Sequence, residues 1–403
     1  MDLALCACVA IAVLQSVPIP QAIRSALAPA LTRVDRTLYL PEGNPSARPF
    51  APLSIDPTAT IASTLLAATI VLLFWCAREA LDGAGERRTV RLISAAGFIA
   101  SATAIVQHAT APKLLYWTWR PLDPGARPYS PFVNRNDFAG WLVLAIPLTI
   151  GYLVARLESR RHLGIRRAIA HSLDARGVWL AASVCVMSGA LVAVVSRSGL
   201  VAGAGGLATF VLLARGRVPR VAPSDRRSLS RVAVVSGLGL AGLGAMAFFN
   251  ADAMSPRIAD ALSNGVGSRR EIWTLTFEMV RDFWRVGLGV GAYARAMSAY
   301  QPPHDFAFNH AHNEYLQLVA EGGVALSSAV AIAVAAGVAQ AARRLQADRT
   351  ALSWMRVGAL SGIAATAIQS LWETAIRMPA NAVLFALCAA IALRPTSSDR
   401  GLR

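Results

Sequence analysis

Apolar runs of roughly 16–22 residues recur along this chain and alternate with short polar stretches, the hydropathy pattern of segments long enough to cross a bilayer as helices. They fall at 2–17, 58–77, 92–109, 137–155, 178–195, 198–214, 232–249, 316–341, 357–371 and 379–393. The pattern predicts an all-α, polytopic integral membrane protein of about ten transmembrane helices. It forms a single membrane domain over residues 1–403. The first run opens on Met1-Asp2 and lacks the positive charge that precedes a signal peptide, so it reads as a short membrane helix. A cleaved signal ending near the small residues Ser25 to Ala28 is the alternative.

The polar stretches fix an orientation. Arg78, Arg87, Arg88 and Arg91 mark one connector, and Arg156, Arg160, Arg161, Arg166, Arg167 and Arg176 the next. A third carries Arg215, Arg217, Arg220, Arg226, Arg227 and Arg231, and a fourth Arg343, Arg344, Arg349 and Arg356. These connectors occupy every second loop, as the positive-inside rule requires of one consistent orientation. Both termini are then cytoplasmic, with Arg394, Arg400 and Arg403 in the tail. Segments near 18–57, 110–136 and 250–315 face the other side.

Composition agrees with that layout. Charged residues make up 15% of the chain, against about a quarter in soluble domains. A net charge of +16 would suit a phosphate backbone, but the arginines sit in short loops where topology accounts for them. No nucleic-acid partner is expected. Cys6, Cys8, Cys76, Cys185 and Cys388 all fall in apolar segments without metal-ligand spacing, and read as small buried apolar residues with no disulfide framework.

The external segment 250–315 is far longer than a minimal connection. From Ser268 to Arg285, Ile272, Leu275, Phe277, Met279 and Phe283 alternate with charges at near-helical spacing, with Trp273 and Trp284 near the ends. This predicts an amphipathic helix lying against the membrane or the helix bundle. Ser268 followed by Glu271 matches a capping box at its start. Gly287-Leu288-Gly289-Val290-Gly291 follows a helix rather than a strand, so it reads as a chain-reversing turn and not as a phosphate cradle.

Three features could carry chemistry. Arg197, in Ser196-Arg197-Ser198-Gly199, lies between two apolar runs at the external face. A charge there costs at least ~2.5–3.5 kcal/mol on insertion scales. It reads either as an arginine snorkelling to headgroups or as an anion clamp, since guanidinium matches phosphate oxygens in a fork. Arg269 and Arg270 open the amphipathic helix, either as a solvated pair or as phosphate ligands. His304, His310 and His312 cluster before the next span, with Asp305 and Glu314 nearby. No known zinc spacing matches, so no metal is expected. A general base at neutral pH is the better reading, beside the plain one of a histidine satisfying a helix end.

In order and spacing, Arg269-Arg270-Glu271-Ile272-Trp273, the glycine turn, His312-Asn313-Glu314-Tyr315-Leu316 and Glu321-Gly322-Gly323 resemble the O-antigen ligase and polymerase family of membrane glycosyltransferases. Ser196-Arg197-Ser198-Gly199 is similar to that family's earlier arginine motif. Asn134-Arg135-Asn136 and Arg377-Met378-Pro379-Ala380-Asn381 fit many members. The resemblance covers roughly residues 60–393 and is strongest over 132–393. It implies transfer of a glycan from an undecaprenyl-diphosphate donor onto a glycan or lipid A-core acceptor. The reaction would run at the periplasmic face of the bacterial inner membrane, with no cofactor and no metal. It further implies diphosphate contacts at Arg197, Arg269 and Arg270, a base at His312, and support from Asn313, Asn134, Asn136 and Arg377. Ligases proper often carry threonine where Leu326 stands, which leaves ligase and repeat-unit polymerase both open. A lipid-linked sugar transporter would place ionisable residues within the spans, and those regions are almost free of charge. A structural partner in envelope assembly leaves the arginine and histidine motifs without a role.

Overall fold

The computed structural model describes residues 1–81, 83–122, 128–129, 131–159, 174–217, 265–302 and 308–395. The expected span at 232–249, His304, Arg400, Arg403 and much of the second and third arginine connectors lie outside the described residues. In chain order the helices are α1 (Asp2–Ser16), α2 (Gln21–Leu27), α3 (Leu31–Leu38), α4 (Pro57–Ala80), α5 (Gly83–Thr110), α6 (Arg135–Ser159) and α7 (Ala175–Ala193). They continue as α8 (Arg197–Arg217), α9 (Gly265–Phe283), α10 (Tyr293–Met297), α11 (Glu314–Ala347), α12 (Ser353–Gln369) and α13 (Pro379–Leu393). One small antiparallel pair joins Ile19–Pro20 to Phe50–Ala51.

The protein is helical, as its hydropathy requires, and every apolar run except 232–249 coincides with a described helix. Among the described residues, the six helices α4, α5, α6, α7, α8 and α11 are long and apolar enough to cross a membrane. Helices α1 and α13 are apolar but have 15 residues each, about 22 Å of rise against a hydrocarbon core of about 30 Å. Three of the cysteines, Cys6, Cys76 and Cys185, are exposed and only Cys388 is buried, which corrects the expectation that all five are interior.

The contacts divide into two compact units. The second takes the described residues of Leu73–Arg257, Ala341–Gln369 and Ala375–Arg403. Its post is α6, with 94% of its apolar window buried. Small residues let α12 approach it closely: a Cβ on Gly358 would stand 2.3 Å from the Pro147 carbonyl oxygen, and one on Gly151 2.4 Å from that of Trp354. Where lipid is as apolar as leucine, such close backbone packing is what drives helices together. One end of this unit is held by charge. Buried Arg356 donates to the carbonyls of Ala392 (2.6 Å) and Arg394 (3.2 Å) and pairs with Asp348 at 3.3 Å. The Arg394 guanidinium lies 2.8 Å from Glu86. This satisfies carbonyls that the end of α13 would otherwise leave without partners.

The first unit takes the described residues of Met1–Leu72, Ile258–Gln340 and Ser370–Thr374. Its core joins Leu31 and Val34 of α3, Leu53 and Ile55, Met279 and Phe283 of α9, and Tyr293, Ala296 and Met297 of α10. The stretch between the first two apolar runs is therefore folded onto the long segment that follows α8. A buried Arg24–Asp35 pair at 2.8 Å, shared with Ser46, pins it.

The span expected at 316–341 is broken. Within α11, Gly323 has φ 59° and ψ −165°, so the helix is two pieces meeting at a kink. The glycine turn fills the break: Leu288 and Gly289 N–H donate to the carbonyls of Ala320 and Glu321, and Val324 N–H donates to that of Trp284. Gln15, buried, adds donors to Val286 and Glu321 carbonyls and accepts from Val290 N–H. Every one of these groups would be costly unpaired in an apolar medium. The turn reading of Gly287–Gly291 is thus what the structure shows, and its purpose is to plug a broken helix.

Candidate active site

The site grows from the start of α11. Asn313 accepts the Leu316 N–H on its side-chain oxygen (3.0 Å), a standard N-cap that starts the helix at Glu314. Just before it, the peptide of Ala311 is clamped on both sides. Its N–H donates to Gln317 Oε1 (3.0 Å) and its carbonyl accepts from Trp273 Nε1 of α9 (2.9 Å). Beyond it, Glu314 N–H donates to the Ser370 carbonyl at 2.9 Å. Between these anchors His312 sits at φ 49°, in the left-handed region. That conformation costs a non-glycine residue on the order of 1–3 kcal/mol and persists only where the surroundings impose it.

What the strained backbone achieves is the position of the ring. His312 Nδ1 lies 3.2 Å from Glu373 Oε2, and the other carboxylate oxygen, Oε1, accepts from Arg269 Nη2 at 2.9 Å. Glu373 is 5% exposed, while His312 and Arg269 remain 39% and 34% exposed. A buried carboxylate therefore holds two solvent-facing groups side by side. With Glu373 ionised, Nδ1–H is the donor, and the imidazole presents its lone pair on Nε2. The arrangement orients a base and can stabilise the imidazolium formed when it takes a proton.

Arg269 and Arg270 part company. Winding α9 at about 100° per residue turns Arg269 toward Glu373 and leaves Arg270 exposed. The helix begins at Gly265, so Ser268 lies inside its first turn and the expected capping box is not its start.

Arg197, Asn134, Asn136 and Arg377 belong to the second unit. Arg197 is exposed at the first turn of α8, which Ser196 caps through its hydroxyl to Gly199 N–H. Ser196 also donates to Asn136 Oδ1 at 2.9 Å, so the Asn136 and Arg197 motifs share one hydrogen bond. Asn134 caps α6 by accepting Asn136 N–H at 2.8 Å. Arg377 closes a single turn of 3₁₀ helix, Ala375–Arg377. Among the described residues no group of three His, Cys, Asp or Glu side chains could hold a metal ion.

Glu373 was the residue that motif reading missed. It carried one signal: between Asp348 and Asp399 it is the only acidic residue, set in the short Leu371-Trp372-Glu373-Thr374 link between two apolar runs.

Within the first unit, a histidine, a buried carboxylate and an arginine are thus gathered just before a helix that breaks at Gly323. Residues 182–331 match the family model described as O-antigen ligase, which supports assigning the chain to the O-antigen ligase and polymerase family. The match contains Arg197, α9 and His312 and ends within α11, so Glu373 lies beyond it. No curated protein matches the chain in sequence. The family implies O-antigen ligase-like glycan transfer by a membrane glycosyltransferase.

Proposed function

We propose that the protein transfers a glycan from an undecaprenyl-diphosphate donor to a hydroxyl acceptor, either another glycan or a lipid A-core. The reaction runs at the periplasmic face of the inner membrane and without a metal. The observation that carries this reading is the bridge made by Glu373 between His312 and Arg269. His312 Nε2 takes the proton of the acceptor hydroxyl as its oxygen bonds to the anomeric carbon. The anomeric carbon–phosphate oxygen bond breaks, and its electron pair leaves on the diphosphate. Arg269 lies beside the base and stabilises that growing charge, with Arg197 as the second diphosphate contact on the strength of its motif. Glu373 keeps the imidazole in the Nδ1–H tautomer and compensates the imidazolium. Asn313 starts the helix that carries the base, Asn134 and Asn136 support the start of the helix bearing Arg197 through Ser196, and Arg377 is a supporting residue on the strength of its motif.

The positive-inside rule puts the segments around 18–57, 110–136 and 250–315 on the periplasmic side, with both termini in the cytoplasm. Ligase and polymerase share this chemistry and differ only in acceptor. The test is reconstitution with undecaprenyl-diphosphate glycan and each candidate acceptor, reading the reducing end of the product. A new lipid A-core conjugate identifies a ligase and a lengthened lipid-linked chain a polymerase. Intact donor with every acceptor would refute the reading.

A further inference from the structure

The outer face of α9 has an order that the catalytic reading does not use. Ile272, Thr276, Met279 and Phe283 are buried in the first unit's core, four positions recurring at helical spacing. Around the rest of the helix, at about 100° per residue, the exposed side chains fall into three adjoining strips. Phe277 and, just past the helix end, Trp284 form the first, 61% and 52% exposed. Arg270, Arg281 and Thr274 form the second, joined past the helix end by Arg285, whose guanidinium lies 5.1 Å from the Trp284 ring centroid, and Glu278 and Glu271 form the third, all exposed. Around the helix the order therefore runs aromatic, cationic, anionic, with the cationic strip opposite the core and the aromatic and anionic strips on its two flanks.

We infer that this face is a binding surface for the anionic phospholipid headgroups of the bilayer that holds the protein. Trp284, with an apolar body and a polar indole N–H, suits the headgroup level, and the wholly apolar Phe277 beside it can lie against acyl chains. Arginines in the adjoining strip meet phosphates, which guanidinium binds in a fork. Glutamates on the flank opposite the aromatics lie away from the phosphates. A face meant for another protein, or for solvent, has no reason to sort its charges by sign along one direction. Arg270 is thus a headgroup ligand, and its neighbour Arg269, turned inward to Glu373, is the one left for the donor. The inference rests on membrane embedding alone and stands or falls separately from glycan transfer.

The test uses full-length protein in nanodiscs of phosphatidylcholine containing a fixed fraction of brominated lipid, either brominated phosphatidylglycerol or brominated phosphatidylcholine. Bromine quenches nearby indoles, and the difference between wild type and Trp284→Phe isolates the signal of Trp284. Quenching of Trp284 should be stronger with brominated phosphatidylglycerol, each arginine contributing about fivefold to the local preference. The Arg270→Gln/Arg281→Gln double variant should lose the share of that preference these two arginines supply, Arg285 over the indole keeping the rest, while added inorganic phosphate leaves the wild-type preference in place. Equal quenching by both lipids in the wild type overturns headgroup selectivity. Absence of any Trp284 quenching overturns the surface itself and points to a protein partner. Loss of the preference on adding inorganic phosphate would show a free-anion site instead.

Discussion

His312 Nδ1 and Glu373 Oε2 stand 3.2 Å apart although 61 residues of chain separate them. One of the two lies before the kinked helix α11 and the other after α12. Since the same carboxylate also accepts from Arg269, replacing it with an amide keeps its size but removes the charge that compensates the imidazolium. Glu373→Gln should lower the transfer rate by about 10²–10⁴-fold, with Glu373→Asp intermediate. Single-turnover rates with lipid-linked donor measure this; a Gln variant with wild-type rates would show that Glu373 only packs.

Gln317 acts one step further back. It accepts from the Ala311 N–H, and Ala311 is fully buried. In Gln317→Leu that donor loses its partner, a penalty of about 1–3 kcal/mol, and His312 loses one of the anchors of its left-handed backbone. The expected outcome is a lower kcat with donor KM little changed, because Arg269 remains paired with Glu373 from α9. A raised KM with unchanged kcat would contradict this.

The break in α11 makes two glycines in one helix behave differently. A Cβ on Gly323 would lie 2.6 Å from backbone atoms of Arg285 and Gly287, at a φ of 59°. One on Gly337 would meet only the Met1 sulfur, at 3.6 Å. Gly323→Ala should therefore reduce the thermal transition in detergent markedly, while Gly337→Ala should be neutral or stabilising by up to about 1 kcal/mol. Equal effects would mean that the kink is not held by close packing.

The charged cluster at the end of α13 sets a pH-dependent term in stability. Burial pushes the Asp348 carboxyl up, but the Thr350 hydroxyl and N–H, with Arg356 and Arg394, outweigh it and hold the group below its ordinary value. A depressed carboxylate contributes stability that is present above the unfolded pKa of about 3.9 and lost as pH falls through the lower folded value. Asp348→Asn should thus melt lower than wild type at pH 7, and the gap should shrink as pH falls below about 4. A gap that does not change with pH would assign Asp348 a role in packing alone.

Much of this was legible in the sequence because bilayer-length apolar runs have only one economical fold. Arg269, His312 and Asn313 were legible for a different reason: they stand in one contiguous stretch whose order carries the resemblance. Glu373 was not, since its partners are distant in sequence and a lone carboxylate in a short link has no local pattern. The kink at Gly323 was hidden by hydropathy, which stays apolar across it. The role of Gln15 was hidden too, because a polar side chain near a helix end ordinarily reads as solvent-facing, and here it fills the break made by a segment 306 residues away. The parting of Arg269 and Arg270 needed the helix phase, which the capping-box reading did not supply.

The central claim is that His312, held by Glu373, is the base for glycan transfer. Its most direct measurement is release of undecaprenyl diphosphate from labelled donor by purified, reconstituted protein, comparing wild type with His312→Ala in the presence of acceptor. The account expects release coupled to acceptor glycosylation in the wild type and its loss in the variant, with the variant folded and still binding donor. Release and product formation at the wild-type rate by His312→Ala would contradict it.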